Sequence, residues 1–190
     1  SMVKQRSAFT CLIVAALLLP TPGAETGTTF LRTPDYDCAG QSDIPRSECE
    51  ALVDLYESTD GDHWINHDGW LRTAMHCSWH GVYCEEGFVA RLNFGDWPDG
   101  NGLQGRLPAS LGDLTRLQWL VMNTNLLEGE IPPELGNLGD LREFVFYDDR
   151  LSGTSPSELG RLRRLQRLDL GMNLLSGAIP PELGDLSSLQ

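Results

Sequence analysis

Lysine is missing from the chain beyond its first 24 residues, and this absence sets the charge of the remainder. From Glu25 onward, 27 acidic residues stand against 12 arginines, which gives a formal net charge of −15. A surface of this sign repels polyanions. We therefore expect neither nucleic acid nor an anionic membrane as a partner.

Long hydrophobic runs are also missing. The longest is residues 8–19, which follows Lys4 and Arg6 and precedes the small residues of 20–24. A mostly apolar run of twelve residues is too short to span a bilayer, and the order of charge, apolar run and small residues is typical of a secretory signal. We predict a signal peptide at 1–24, with an N-terminal anchor as the alternative. The mature chain is then secreted or on the extracellular face of the cell surface, and membrane attachment is expected only through a segment beyond Gln190.

Catalytic motifs are scarce. No G-x-S-x-G elbow occurs, and without lysine the chain has no visible machinery for serine-hydrolase or kinase chemistry. Gly100, Gly102 and Gly105 spell G-x-G-x-x-G, but no strand, loop and helix surround them as a dinucleotide site requires. We predict a protein that is not an enzyme and binds no cofactor.

The histidines offer the sharpest hint of a metal. They occur in two pairs four residues apart, beside two cysteines, and a helix would place each pair on one face. Glycines in this region argue against a helix, so we predict no metal site. A metal-dependent enzyme using the histidines is the least favoured functional class; the four residues are His63, His67, His76 and His80.

An internal repeat of 24 residues runs from Val89 to Leu186 in four copies, and Leu186 and Leu189 begin a fifth. The first copy carries four extra residues between Gly95 and Gly100, which predicts a surface loop there. Such a repeat indicates stacked coils, each of which buries its apolar faces only against its neighbours.

Each copy can be interpreted as one coil. Alternating leucines point inward from a short strand, and an asparagine then turns the chain and satisfies backbone groups inside the coil. The third copy has Asp149 at that position and Thr154, Ser155 and Pro156 where the others have x-Ile-Pro or its equivalent. Asp149 keeps an acceptor but loses the donor, so we expect the third coil to be weaker.

The repeat L-x-x-L-x-L-x-x-N-x-L-x-G-x-I-P-x-x-L-G resembles the plant-type leucine-rich repeat. Residues 77–84, Cys-Ser-Trp-His-Gly-Val-Tyr-Cys, resemble the end of that family's N-terminal cap. The resemblance covers about residues 45–190 and implies a leucine-rich repeat solenoid of the α/β class. It implies short parallel strands on a concave face, an irregular or 3-10 convex side, and a helical cap with disulfides.

The family includes receptor ectodomains and secreted inhibitors of cell-wall-degrading enzymes. The resemblance therefore implies an extracellular recognition module for a protein, peptide or glycan, such as part of a receptor ectodomain. The alternative is a secreted inhibitor of a cell-wall-degrading glycosidase. Because no closing cap follows the fifth copy, we expect the natural chain to continue beyond Gln190.

Four cysteines remain after the signal, an even number that suits an oxidising compartment. Four cysteines allow three connectivities. The family resemblance and the short intervening loop favour Cys77 with Cys84, which leaves Cys38 with Cys49 as the second predicted pair.

The predicted organisation is a flexible lead-in at 25–44, a cap at 45–87 and the repeats at 88–190. In the cap, Ser47 and Glu50 form a capping-box signature for a helix that ends near Thr59. Three tryptophans follow, which we interpret as a packed plug for the first coil rather than as a sugar-stacking platform. They are Trp64, Trp70 and Trp79.

The outward positions of the strands are where a ligand would be recognised, because they form ladders across a rigid sheet. Trp119, Tyr147 and Val145 are expected to be exposed there. Binding hot spots are rich in aromatic residues and arginine, and both occur among these positions. The candidate ligand-binding residues are Arg91, Asn93, Trp119, Val121, Glu143, Val145, Tyr147, Asp148, Arg167 and Asp169.

Overall fold

The computed structural model describes residues 36–40, 43–95 and 100–190. The predicted signal peptide, residues 25–35 and 41–42 of the lead-in, and the inserted residues 96–99 lie outside this part of the chain. The described residues form one α-helix, α1 (Arg46–Ser58), several 3-10 segments and nine short strands. The strands are β1 (Val82–Glu85), β2 (Phe88–Asn93), β3 (Gln104–Arg106), β4 (Trp119–Val121), β5 (Leu126–Gly129), β6 (Glu143–Val145), β7 (Arg150–Gly153), β8 (Arg167–Asp169) and β9 (Leu174–Leu175).

Two sheets run along the stack of coils. The first has the order β1-β2-β4-β6-β8, with β1 antiparallel to β2 and the remaining pairs parallel. The second has the order β3-β5-β7-β9 and is parallel. It arises from the Leu-x-Gly segment of each repeat, where Gly129 and Gly153 have φ of 79° and 74°, a region that glycine enters without strain.

The 24-residue period appears directly as strand register. Leu120 pairs with Leu92 on one side and with Phe144 on the other, so equivalent inward side chains lie beside each other. All three are fully buried. A 3-10 segment follows each coil's second strand, as predicted for the convex side; the four are Ala109–Asp113, Pro133–Asn137, Ser157–Arg161 and Pro181–Asp185.

The asparagine of the second coil links its coil to the first. The Asn125 amide donates to the carbonyls of Phe94, Met122 and Asn123 at 2.7–3.2 Å. Its Oδ1 accepts the backbone amides of Asn101 and Leu103, both at 3.0 Å. These five bonds satisfy backbone groups that are out of reach of water, which is the role predicted for this position.

Helix α1 covers the first coil with its apolar face, as its spacing predicts. Ala51, Leu52 and Leu55 are fully buried and Tyr56 is 7% exposed. The helix begins after Pro45 and has no side-chain cap. The predicted capping box is therefore wrong.

Ser47 lies inside the first turn of α1 rather than before it, and Glu50 pairs instead with Arg46, four residues earlier, at 2.7 Å. The buried acid of the first turn is Glu48, whose carboxylate accepts the amide of Val89 in β2 at 2.7 Å. Burial raises the pKa of Glu48, and the bond from Val89 opposes that rise.

The three tryptophans form the predicted plug. Trp64, Trp70 and Trp79 are at most 3% exposed, and adjacent rings in the series lie 4.9 and 4.7 Å apart. Trp64 and Trp70 also contact Phe94 of the first coil. Rings buried in this way are not accessible to a sugar, so they act as the end of the core.

Both predicted disulfides are present, Cys38 with Cys49 and Cys77 with Cys84. The first holds residues 36–40 against α1. Ile44 is 4% exposed, and the hydroxyl of Tyr36 donates to the carbonyl of Thr73 at 2.5 Å. This described part of the lead-in packs against the cap, and the bounds of the flexible segment remain a prediction.

Candidate functional site

The outer face of the first sheet carries the ligand-binding candidates in the predicted ladders. Strand register places Arg91, Trp119, Glu143 and Arg167 in one row. The neighbouring row consists of Asn93, Val121, Val145 and Asp169. We call this surface, together with the adjoining residue Tyr147, the sheet face. It corresponds to the concave face of the sequence prediction.

A shallow cleft of about 420 Å³ opens on the sheet face. Val121 and Val145 come from adjacent strands, and Tyr147 is 38% exposed at its edge. The predicted exposure of Val145 is wrong, because its side chain is only 3% exposed. Val145 therefore forms the floor of the cleft rather than a projecting anchor. The complete lining is Val121, Asn123, Val145, Tyr147, Arg167 and Asp169.

One end of the cleft is charged. The Arg167 guanidinium lies 3.3 Å from a carboxylate oxygen of Asp169 and 4.0 Å from one of Glu143. Asp169 also accepts the amide of Gly171 at 3.2 Å. Arg167 is 58% exposed, so these pairs hold the side chain in place without contributing much stability, and its remaining N–H groups face solvent.

The N-terminal part of the sheet face is cationic and aromatic. The guanidinium of Arg91 lies 4.4 Å from the Trp119 ring centroid and 5.6 Å from that of Tyr83, and Arg142 lies 6.0 Å from Trp119. Such distances are within the range of a cation–π contact. Neither Arg91 nor Arg142 has an ion pair within 4 Å among the described residues.

Sequence reasoning did not select Tyr83 or Arg142. Tyr83 reaches the sheet face because β1 of the cap pairs antiparallel with β2, opposite Arg91, a pairing that the repeat period does not contain. Arg142 immediately precedes β6. The 24-residue register places it beside the outward Trp119 of the neighbouring coil, and this could have been recognised from the sequence.

Asp148 lies apart from the ladders, in the turn after β6. It is exposed and has φ of 61°, as do Thr124 and Met172 at nearly the same value in the neighbouring coils. The recurrence at one position of three coils shows that this left-handed backbone belongs to the turn. A binding role for Asp148 remains a prediction.

The histidines each have their own environment. His63 bonds Asp60 at 2.8 Å on the surface, His67 contacts the carbonyl of Trp64 at 3.3 Å, and His76 is buried. The two cysteines beside them are joined in a disulfide. Across residues 36–40, 43–95 and 100–190, no three histidine, cysteine or acidic side chains converge as metal ligands.

Comparison with known proteins agrees with the fold. The family model for the Leucine Rich Repeat matches residues 116–138 and 164–186. Similar solved structures include PEPR1-AtPEP1, at 30% identity, with 77% of this chain and 21% of that chain covered and a TM-score of 0.66. The ectodomain of the receptor kinase SOBIR1 from Arabidopsis thaliana matches at 26% identity, with 77% of each chain covered and a TM-score of 0.63.

A plant ice-binding protein matches as well, at 31% identity, with 77% of this chain and 46% of that chain covered and a TM-score of 0.65. This chain thus spans about a fifth of the PEPR1-AtPEP1 match and under half of the ice-binding protein. The fold is a leucine-rich repeat solenoid with a disulfide-bonded N-terminal cap. Receptors and an ice-binding protein share this fold, so function must be argued from the surface.

Within the described residues, no helix combines the length and apolarity that crossing a bilayer requires.

Proposed function

We propose that this chain is an extracellular recognition module that binds a protein or peptide on the sheet face. The observation that carries the proposal is the cleft floored by Val121 and Val145, with Tyr147 at its edge and the charged Arg167 and Asp169 beside it. An apolar floor with a few polar groups at its rim is the common composition of a binding site.

The residues around the cleft support the same role. Trp119, Tyr147 and Arg167 are of the types that dominate binding energy in protein interfaces. They lie on a sheet whose strands are fixed by register between coils, so a ligand would meet them with little loss of conformational entropy. The ectodomain of the receptor kinase SOBIR1, which matches over 77% of this chain, supports a receptor role.

The extracellular placement rests on two features. The first is the predicted signal at 1–24, and the second is the pair of disulfides, a type of bond that persists in oxidising compartments.

A matched pair of variants tests the site. Tyr147 and Leu126 are both 38% exposed, but Tyr147 edges the cleft and Leu126 lies on the second sheet. Peptides are selected from a random displayed library on the wild-type protein, and their dissociation constants are then measured with each variant. We expect Tyr147→Ala to weaken binding by about tenfold or more, as a hot-spot aromatic does, and Leu126→Ala to leave it unchanged.

Two results would refute the proposal. One is an enriched peptide set that binds Tyr147→Ala and Trp119→Ala as tightly as the wild type. The other is a loss of binding in Leu126→Ala equal to that in Tyr147→Ala, which would place the interface on the other sheet.

A further inference from the structure

The cap contains a chain of side chains that the recognition proposal does not use. Asp43 Oδ1 lies 2.5 Å from Nδ1 of His76, and His76 Nε2 lies 3.1 Å from the Sγ of Cys49. Cys49 is bonded to Cys38. His76 and Cys49 have no exposed surface, so the imidazole and the disulfide contact each other without intervening water.

The groups around the imidazole all accept hydrogen bonds. Asp43 presents a carboxylate to Nδ1, and a disulfide sulfur has no proton to give to Nε2. The hydroxyl of Tyr36, 3.4 Å from Nε2, directs its own proton to the carbonyl of Thr73 at 2.5 Å. Both ring nitrogens therefore face acceptors, and a proton carried by Nε2 would point at Cys49 Sγ.

Asp43 is suited to support that state. Burial raises its pKa, but hydrogen bonds with His76 and the amide of Cys77 outweigh the burial and hold the pKa below its ordinary value. The carboxylate therefore orients the ring through Nδ1.

The two sulfurs are not equivalent. As whole residues, Cys38 is 7% exposed and Cys49 is fully buried, and the hydrogen-bond contact with His76 is made by the Cys49 sulfur. In thiol–disulfide exchange, the sulfur that departs faster is the one whose thiolate is better stabilised, and a neighbouring protonated histidine stabilises a thiolate. The exposure of Cys38 and the stability of the departing Cys49 thiolate thus both favour attack of a thiol at Cys38.

We propose that Cys38–Cys49 is an exchange-active disulfide in which an external thiol attacks Cys38 and Cys49 departs with a proton from His76. The incoming thiolate sulfur bonds to Cys38 Sγ as the Cys38–Cys49 bond breaks. The electron pair of that bond goes to Cys49 Sγ, which takes the proton of Nε2. A second thiol then releases Cys38 as a free thiol, so the reductant is a dithiol or two molecules of a monothiol such as glutathione. His76 acts as the acid and Asp43 is its positioning residue.

The first experiment needs no variant. The folded protein is incubated with reduced glutathione, free thiols are trapped with a maleimide, and the products are mapped by peptide mass. We expect glutathione on Cys38 and maleimide on Cys49. Glutathione found mainly on Cys49, or divided equally between the two, overturns the proposal.

The second experiment tests the histidine. We expect His76→Gln to slow the reduction of Cys38–Cys49 by dithiothreitol by a factor on the order of 10 or more, because a positioned acid is lost. Cys77–Cys84 of the same molecule is the internal control, since its sulfurs do not contact His76, and its rate should change less than about twofold.

His63→Gln is the matched variant, because His63 is an exposed histidine with its own acidic partner, and it should leave both rates unchanged. In denaturant, wild type and His76→Gln should react alike, since the contact exists only in the folded cap. An unchanged folded-state rate in His76→Gln contradicts the role of the imidazole. If that variant does not fold, the position of glutathione on the wild type decides.

Discussion

The second and third coils of the solenoid have the same backbone course, but at two inward positions the third coil has a residue of different charge or polarity. The second coil has Asn125 and Ile131, and the third has Asp149 and Ser155 at the equivalent places. Asn125 makes five hydrogen bonds. Within the described residues, Oδ2 of Asp149 is a buried side-chain oxygen without a hydrogen-bond partner.

The carbonyls around Asp149 explain why the third coil tolerates an acid. By the repeat, an asparagine there would donate to Met122, Phe146 and Tyr147. Met122 and Phe146 already accept the amides of Asn125 and Asn173, and the carbonyl of Tyr147 accepts the backbone amide of Thr124. Each carbonyl has a donor from a neighbouring coil, so the substitution leaves only the second carboxylate oxygen unsatisfied.

Among the described residues, the carbonyls around Asn125 lack such donors from a neighbouring coil. We therefore expect Asn125→Asp to have the largest effect on the free energy of unfolding. Within the described residues, Asn125 supplies the donor for the carbonyls of both Phe94 and Met122. Losing the amide donor leaves these two carbonyls buried and unpaired, and the substitution also adds a buried carboxylate. We expect the free energy of unfolding to fall by about 3–5 kcal/mol at pH 8, measured by urea denaturation with the slope checked for two-state behaviour. A loss below about 1 kcal/mol would mean that water reaches these carbonyls.

Asp149→Asn makes the opposite change and is expected to stabilise the protein. Burial raises the pKa of Asp149 to about 7, the charge of Asp148 adds to the rise, and the amides of Leu127 and Asn125 oppose it. Since the ordinary value is 3.8, the folded protein keeps a proton that the unfolded chain releases between these values. The contribution of Asp149 to stability is therefore lost as the pH rises from about 4 to 7, at up to about 1.4 kcal/mol per pH unit.

The asparagine variant has no such proton. We expect its advantage over the wild type in the free energy of unfolding to be about 2–3 kcal/mol larger at pH 8 than at pH 5, because between these values the unfolded wild type has released the proton that the folded protein still holds. Unfolding curves at the two pH values give the comparison. An advantage that does not depend on pH would show that Asp149 is ionised throughout this range.

The coils themselves were predictable from the sequence because each inward leucine recurs every 24 residues and each coil repeats the contacts of the last. Features that depend on pairs distant in sequence were not predictable. The capping box failed because α1 begins at Arg46, directly after Pro45, and Ser47 therefore lies within the helix. The contact between Asp43 and His76 joins residues 33 apart in irregular chain, where no period relates them.

The sheet face also combines features that were predictable from the sequence with features that were not. The ladders of Arg91 and Asn93 followed from strand alternation, and the register confirms that arrangement. The burial of Val145 did not follow, because it depends on the side chains that surround the cleft rather than on the direction of its own Cα–Cβ bond. Alternation gives the face on which a residue lies, and packing decides how much of it a ligand can reach.

Ser155→Ile has the smallest expected effect on the free energy of unfolding. It tests the difference at the position of Ile131 separately from the difference at the position of Asn125. Ile131 is 2% exposed at the equivalent position, whereas Ser155 is half-buried. Restoring the apolar side chain should raise the free energy of unfolding by about 1 kcal/mol through the surface it buries. Thr154→Ile, at the adjacent exposed position, should give no gain and is the matched control. A loss of stability in Ser155→Ile alone would mean that the third coil has already closed around the smaller serine, because inserting methylenes into a filled site forces strain.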